Sequence, residues 1–257
     1  MTDPILLVTN DDGYDAPGLQ ALADVLADIG NIWVVAPDRQ QSASSHALTL
    51  HKPLRVNSVD SQRFTVSGTP TDCVYLGVRT ILKQPPTMVV SGINHGANLG
   101  DDVSYSGTVS AALEGALMGA QAVAVSRLHG PATMSWEEAA QVAKSIIVPL
   151  LGAPMPTRSY VNINIPGIPL CDVRGVQTTV LGQRHYSQEI VTNTDPRGRP
   201  YYWIGGEEIT HATIEGTDCT AVDDGWVSVT PLTARWDLTG GVGILEDVGI
   251  KGKPWSL

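Results

Sequence analysis

Two short, uninterrupted apolar runs, ILLV at 5–8 and IWVVA at 32–36, bracket a segment in which Leu19, Leu22, Leu26 and Ile29 recur at helical spacing before Gly30. A strand that is apolar at every residue must be covered on both faces, which a sheet with one wet face does not allow. The spacing therefore predicts a βαβ unit of a parallel sheet. TMVVSG at 87–92 and AVAVS at 122–126 repeat the strand pattern, with the small-residue run TVSAALEGALMGA between them as a helix. The expected fold class is α/β, doubly wound, with a mainly parallel sheet.

Residues 69–83 read as a further helix: Thr69 suits the N-cap, Pro70 the first helical position, and Asp72 a capping-box spacing. The stretch LTLHKPLRVNSVDSQRFTVSG before it reads as two strands around a turn. A helix over 135–151 and a strand over 159–166 complete the expected core. Beyond about residue 170 the pattern turns to β-like pieces, GVQTTVL and GWVSVTPL, around the turn-rich NTDPRGRPYYWIGG. No linker or repeat divides the chain, so one domain over 1–257 is expected, a core at 1–170 and a β-rich extension at 171–257.

A formal charge of −10 argues against DNA, RNA or an anionic membrane surface as partner, because their attraction rests on Lys and Arg. Three cysteines without CxxC spacing indicate neither a disulfide framework nor a zinc site, and no basic leader with a long apolar segment opens the sequence. A soluble protein of the reducing cytoplasm is the expectation.

The first strand runs directly into TNDDG, so Asp11 and Asp12 sit side by side. Two like charges about 4 Å apart repel by about 4 kcal/mol at an effective dielectric near 20, which calls for a cation. Ligands of open α/β sheets bind beyond the carboxyl ends of the strands. There the sequence places Asn10, Asp11 and Asp12 after the first strand, Asp38 to Ser42 after the second, and Asn94 after VVSGI. Carboxylate, amide and hydroxyl oxygens suit a hard dication, Mg²⁺, Mn²⁺ or Ca²⁺. Ser106, Gly107 and Thr108 open the small-residue helix, where free N–H groups and the helix dipole favour an anion. The loop between, NHGANLGDDVSYSG, offers Asn98 to a metal or a phosphate, and Gly96 and Gly100 give it backbone freedom. His46 is an acid/base candidate that can equally orient its loop, His95 a weaker one, and Cys73 a buried small hydrophobe. Tyr201, Tyr202 and Trp203 fit core, a base-stacking surface or, the favoured reading, a contact with another subunit, and Asp223 and Asp224 read as a turn.

ILLVTNDDGYDAPGLQAL, VVAPDRQQSASSHALTL, GTPTDCVYLG, VVSGINHGANLGDDVSYSGTVSAALEG and DPRGRPYYWIG together resemble the SurE family of stationary-phase survival proteins, divalent-metal-dependent 5′/3′-nucleotidases. The resemblance runs past residue 230. It implies a Rossmann-like three-layer α/β/α core whose C-terminal extension is exchanged between subunits, giving homodimers or homotetramers. It implies one dication per subunit, held by Asp11, Asp12, Ser42 and Asn94, with Asn98 and Ser106, Gly107 and Thr108 holding phosphate. The implied reaction converts nucleoside 5′- and 3′-monophosphates to nucleoside and inorganic phosphate. The loop QQSASSHAL departs from the family pattern, in which many members carry a basic residue at the position of Gln41 and a glycine near Ser44 or Ser45. The last 25 residues match no pattern.

Three other readings fit less well. A receiver-like signalling module needs an acceptor aspartate on a middle strand and a later lysine, which VVSGIN and AVAVSRLHG lack. An aspartyl-phosphate phosphatase needs Asp-x-Asp, whereas these acids adjoin. A non-catalytic nucleotide-binding subunit would share the same ligands without turnover.

Overall fold

A computed structural model describes residues 3–186, 190–204 and 209–235. Strand β1 (Ile5–Thr9) leads through α1 (Pro17–Leu26) to β2 (Asn31–Pro37), and the hairpin β3 (Val56–Ser58) and β4 (Arg63–Val66) follows. Next come α2 (Pro70–Leu76), β5 (Met88–His95), α3 (Gly107–Leu117), β6 (Gln121–Arg127), α4 (Trp136–Leu150) and β7 (Ser159–Ile165). The chain beyond adds β8 (Gly175–Thr178), β9 (Arg184–Tyr186), β10 (Ile190–Thr194), β11 (Pro200–Ile204), β12 (Ile209–His211), α5 (Asp218–Asp223) and β13 (Trp226–Thr233).

Among the described residues nine strands form one sheet in the order β3-β4-β2-β1-β5-β6-β7-β13-β8. Pairing from β4 through β7 is parallel; β3 pairs antiparallel with β4, and β13 antiparallel with β7. The apolar runs are covered on both sides, as their composition demands. Leu6 and Val8 of β1 pack with Leu19, Leu22 and Leu26 of α1 and Ala140 and Ile147 of α4. Leu7, on the opposite face, packs with Val74 of α2 and Val109, Ala112 and Ala116 of α3. This is a three-layer α/β/α arrangement.

Because α1 lies on one face and α2 and α3 on the other, the winding reverses between β1 and β5. A crevice opens there beyond the strand ends.

Four stretches differ in detail from the sequence expectation. The Thr69 capping box forms, with the side chain accepting from Asp72 N–H and the Asp72 carboxylate accepting from Thr69 N–H, but the α-helix ends at Leu76 and Gly77–Leu82 continue as a wider π-type turn. That turn keeps Gly77 and Val78 in the core while Arg79 and Thr80 stay exposed, a local widening invisible to 3.6-residue periodicity. The stretch LTLHKPL is not a strand, and only Val56–Ser58 pairs with β4. The expected turn at Asp223 and Asp224 is the end of α5, and the segment after residue 170 contributes β13 and β8 to the main sheet. Residues 236–257, most of the unmatched tail, lie outside the described residues. Among the described residues no helix is long and apolar enough to cross a membrane.

Candidate active site

A cavity of about 280 Å³ occupies the crevice, lined by Asp11, Asp12, Gln40, Ser42, Asn94, His95, Asn98, Asp102, Tyr105 and Ser106 among others. A larger concavity, about 770 Å³, lies between α1 and α4. Its lysine, Lys144, is already paired with Asp28 at 2.6 Å, and none of the polar residues that follow β1, β2 and β5 line it. The polar residues expected from the sequence converge on the smaller space.

The Asp11–Gly13 turn is shaped by its neighbours. Asn10 donates its side-chain amide to the Gly13 carbonyl at 2.9 Å, and Gly13 has φ of 100°, where a side chain would be strained and would press on the Arg39 backbone at 3.1 Å. Asp11 is 5% exposed. Its Oδ1 accepts a hydrogen bond from Thr108 Oγ1, and its backbone carbonyl accepts from Gln41 N–H at 2.7 Å, which ties the first loop to the second. Asp12 Oδ2 accepts from His95 N–H at 3.0 Å, which ties the first loop to β5.

Three strand ends are thus cross-linked at the mouth of the crevice. Asn94 donates its amide to the Gly96 carbonyl at 2.9 Å, so its Oδ1 is the atom left for a ligand, and Ser42 Oγ accepts from Gln40 Nε2 at 3.0 Å. All four expected metal-binding side chains line this one cavity.

The donor set fits a hard dication. Beyond the bonds just given, Asp12 Oδ1, Asn94 Oδ1 and the lone pairs of Ser42 Oγ accept no hydrogen bond among the described residues. Burial raises the Asp11 carboxyl from 3.8 to about 6; the Thr108 bond opposes this and the charge of Asp12 adds to it. A buried carboxylate beside another acid is what a bound dication would reverse, since its charge dominates local electrostatics. Among the described residues no group of three or more His, Cys, Asp or Glu gathers as a metal site, so amide and hydroxyl oxygens have to complete the set.

Helix α3 begins at the cavity. Ser106 is its N-cap, with Oγ accepting from Val109 N–H at 3.1 Å and its own proton still available to donate. Thr108 takes a different part from the one expected of it: it is fully buried, and its hydroxyl supports Asp11 instead of facing the cavity. Gly107 is the close approach. A Cβ there would stand 2.8 Å from Asp11 Cβ and 2.8 Å from Ser44 Oγ. Ser44 Oγ is itself buried without a partner among the described residues, a hydroxyl the sequence reading passed over.

Asn98 is 7% exposed and bonded through side chain and backbone. Its amide donates to Ser126 Oγ at 2.7 Å, its N–H donates to Asn164 Oδ1 at 2.8 Å, and its carbonyl accepts from the amides of Asn162 and Asn164 at 2.8 and 3.0 Å. Asn162 and Asn164, two polar residues at period two inside the buried strand YVNINIP that the sequence reading passed over, serve as the floor under this loop.

Asp218 is the second hidden support. Fully buried, its carboxylate accepts from Gly100 N–H at 2.9 Å, Gly182 N–H at 2.7 Å and Cys219 N–H at 2.8 Å. Nothing local in TDCT marks it, because its partners lie up to 118 residues away. Asp102, at the cavity edge, pairs with Arg184 at 3.2 Å, while burial raises its carboxyl.

The family profile described as "Survival protein SurE" matches residues 6–188. A protein of Geobacter sulfurreducens named "5'-nucleotidase SurE" is 52% identical over 234 residues, covering 91% of this chain and 88% of its own. One of the same name from Myxococcus xanthus is 50% identical over 229 residues, covering 88% and 86%. The crystal structure of the Sure protein from Aquifex aeolicus superposes with a TM-score of 0.84 at 40% identity, covering 95% of this chain and 99% of that one.

Proposed function

This chain belongs to the SurE family, and from that premise we propose that it is a nucleotidase, a phosphoric monoester hydrolase that releases inorganic phosphate from nucleoside 5′- and 3′-monophosphates with one divalent cation, Mg²⁺ or Mn²⁺, per subunit. The observation that carries this reading is the convergence of Asp11, Asp12, Ser42 and Asn94, from three loops, on one cavity at the amino end of α3.

A dication bound there would draw a phosphoryl oxygen inward and acidify the attacking water. The chain does the rest. The free N–H groups at the start of α3 and the Ser106 hydroxyl receive the equatorial phosphoryl oxygens, whose charge grows in the transition state. Asp12 Oδ1, not engaged by His95 N–H, is a proton acceptor for the water. The bond from Thr108 fixes Asp11, whose Cβ and Oδ2 pack against Gly107, so that the acid and the start of α3 hold one another in place. Positioning and charge neutralisation supply most of the rate in phosphoryl transfer, so no covalent nucleophile is required.

Tyr202 and Trp203 on β11 are 62% and 65% exposed, which supports a homodimer or homotetramer built through the β10–β11 hairpin. The activity is tested by phosphate release from nucleoside monophosphates with Mn²⁺, with and without chelator, for the native chain, Asp11→Asn and Asn94→Ala. Metal-dependent release that both substitutions abolish supports the reading. Tight nucleotide binding without release would make the chain a binding subunit.

A further inference from the structure

Ser42 stands in a loop whose backbone runs against its own preference. Ala43 and Ser45, neither a glycine, have φ of 56° and 51°. Left-handed backbone costs an L-residue about 1–2 kcal/mol, so it persists only where surrounding contacts hold it. The hold is visible.

Gln41 N–H fastens the start of the loop to the Asp11 carbonyl at 2.7 Å. At the far end Ser45 N–H donates to the Tyr105 carbonyl at 3.2 Å and Ser45 Oγ donates to the Ser104 carbonyl at 2.8 Å, both in the turn that enters α3. His46 then reaches α3 itself, its Nε2 standing 2.8 Å from Glu114 Oε2. A carboxylate only accepts, so the ring nitrogen donates.

Glu114 is 5% exposed, on a helix otherwise lined with small and apolar residues, and among the described residues this is the only hydrogen bond its side chain makes. A buried carboxylate needs such a partner. His46, for its part, does not line the cavity that holds Asp11, Asp12 and Asn94. It lines a separate one of about 310 Å³ with Ser110, Leu113 and Tyr160, across the Ser45–Tyr105 tie. An imidazole on that side is badly placed to exchange a proton with a substrate.

We propose that the His46–Glu114 pair is a latch that holds the strained 42–45 loop against α3 and so fixes Ser42 relative to the amino end of that helix. His46 is then a positioning residue, acting on metal binding through Ser42. This rests on the reading of Ser42 as a metal oxygen.

The test uses the full chain carrying His46→Ala, His46→Gln or Glu114→Gln. Three readouts are taken: Mn²⁺ affinity from the spin-resonance signal of free Mn²⁺, phosphate release at saturating Mn²⁺ across pH, and amide hydrogen exchange over 41–46. Loss of a group that orients a metal ligand weakens affinity by about tenfold or more, so His46→Ala should bind Mn²⁺ about tenfold more weakly. It should exchange faster at 41–46 while keeping kcat at saturating metal within a factor of about three, with an unmoved pH profile. His46→Gln and Glu114→Gln, which keep a donor or an acceptor at the same place, should recover most of the affinity. These two carry the test if the alanine variant does not fold.

Unchanged Mn²⁺ affinity and unchanged exchange in His46→Ala would overturn the latch. A fall in kcat at saturating Mn²⁺ with a displaced pH profile would overturn it in favour of proton transfer. If the native chain bound no Mn²⁺, the metal-dependent reading would fail by itself, and the exchange at 41–46 would still decide whether the pair holds the loop.

Discussion

The hydroxyl of Thr108, the second residue of α3, donates its hydrogen bond to Asp11 Oδ1, near the start of the loop that follows β1. Both residues are buried, and the bond joins the helix expected to receive phosphate to the acid expected to hold the cation. The proposed metal and phosphate sites are therefore joined through one bond.

Replacing Thr108 by valine keeps the shape and removes the donor. A buried acceptor left unsatisfied costs about 1–3 kcal/mol, so Thr108→Val should lose stability of that order in urea unfolding, with weaker Mn²⁺ binding. Stability equal to the native chain would show that Asp11 does not depend on this bond.

Gly107→Ala adds one methyl where Asp11 Cβ and Ser44 Oγ would each lie 2.8 Å away. Overpacking of a tight site costs about 1–3 kcal/mol, and here the atoms that must give way include the proposed metal ligand. Phosphate release should fall by more than an order of magnitude while the circular dichroism spectrum is kept. Native turnover in this variant would remove the helix start from the site.

The raised carboxyl of Asp11 gives a pH signature. Its folded pKa, about 6, lies above the usual 3.8, so between those values the folded chain holds a proton that the unfolded chain releases. Metal-free protein should thus lose stability as pH rises through that window, by about 3 kcal/mol in full, and the loss should be absent from Asp11→Asn. Mn²⁺ competes with the same proton, so its stabilising effect should grow from pH 5 to pH 7. Thermal unfolding with chelator and with Mn²⁺ measures both, and an Mn²⁺ effect independent of pH would contradict the account.

Of the three cysteines only Cys171 is exposed, whereas Cys73 and Cys219 are fully buried and burial pushes the Cys219 thiol up to about 12. Thiolate is the reactive form, so iodoacetamide at pH 8 should label one thiol per folded chain, in the peptide containing Cys171. Rapid labelling of Cys219 would mean that α5 and its Asp218 clamp on Gly100 do not stay closed.

Much of this site could be read before any coordinates, for a definite reason. The continuous apolar strands announced a sheet covered on both faces, and such a sheet gathers its strand-end polar residues, Asp11, Asp12, Ser42 and Asn94, at one crevice. What escaped the sequence were the residues that act through long-range or inward-facing bonds. Asn162 and Asn164 hide in an apolar strand, Asp218 finds its amides far along the chain, and Thr108 turns its hydroxyl to Asp11. The helical stretch at 69–83 was legible, but its change from α to π-type at Gly77 was not, because the composition stays nearly the same.

The most direct test is anomalous diffraction from a crystal soaked in Mn²⁺. The account predicts one peak per subunit at about 2.0–2.3 Å from carboxylate oxygens of Asp11 and Asp12, with Ser42 Oγ and Asn94 Oδ1 or their bridging waters around it. A peak elsewhere, or none in that cavity at saturating Mn²⁺, would contradict it.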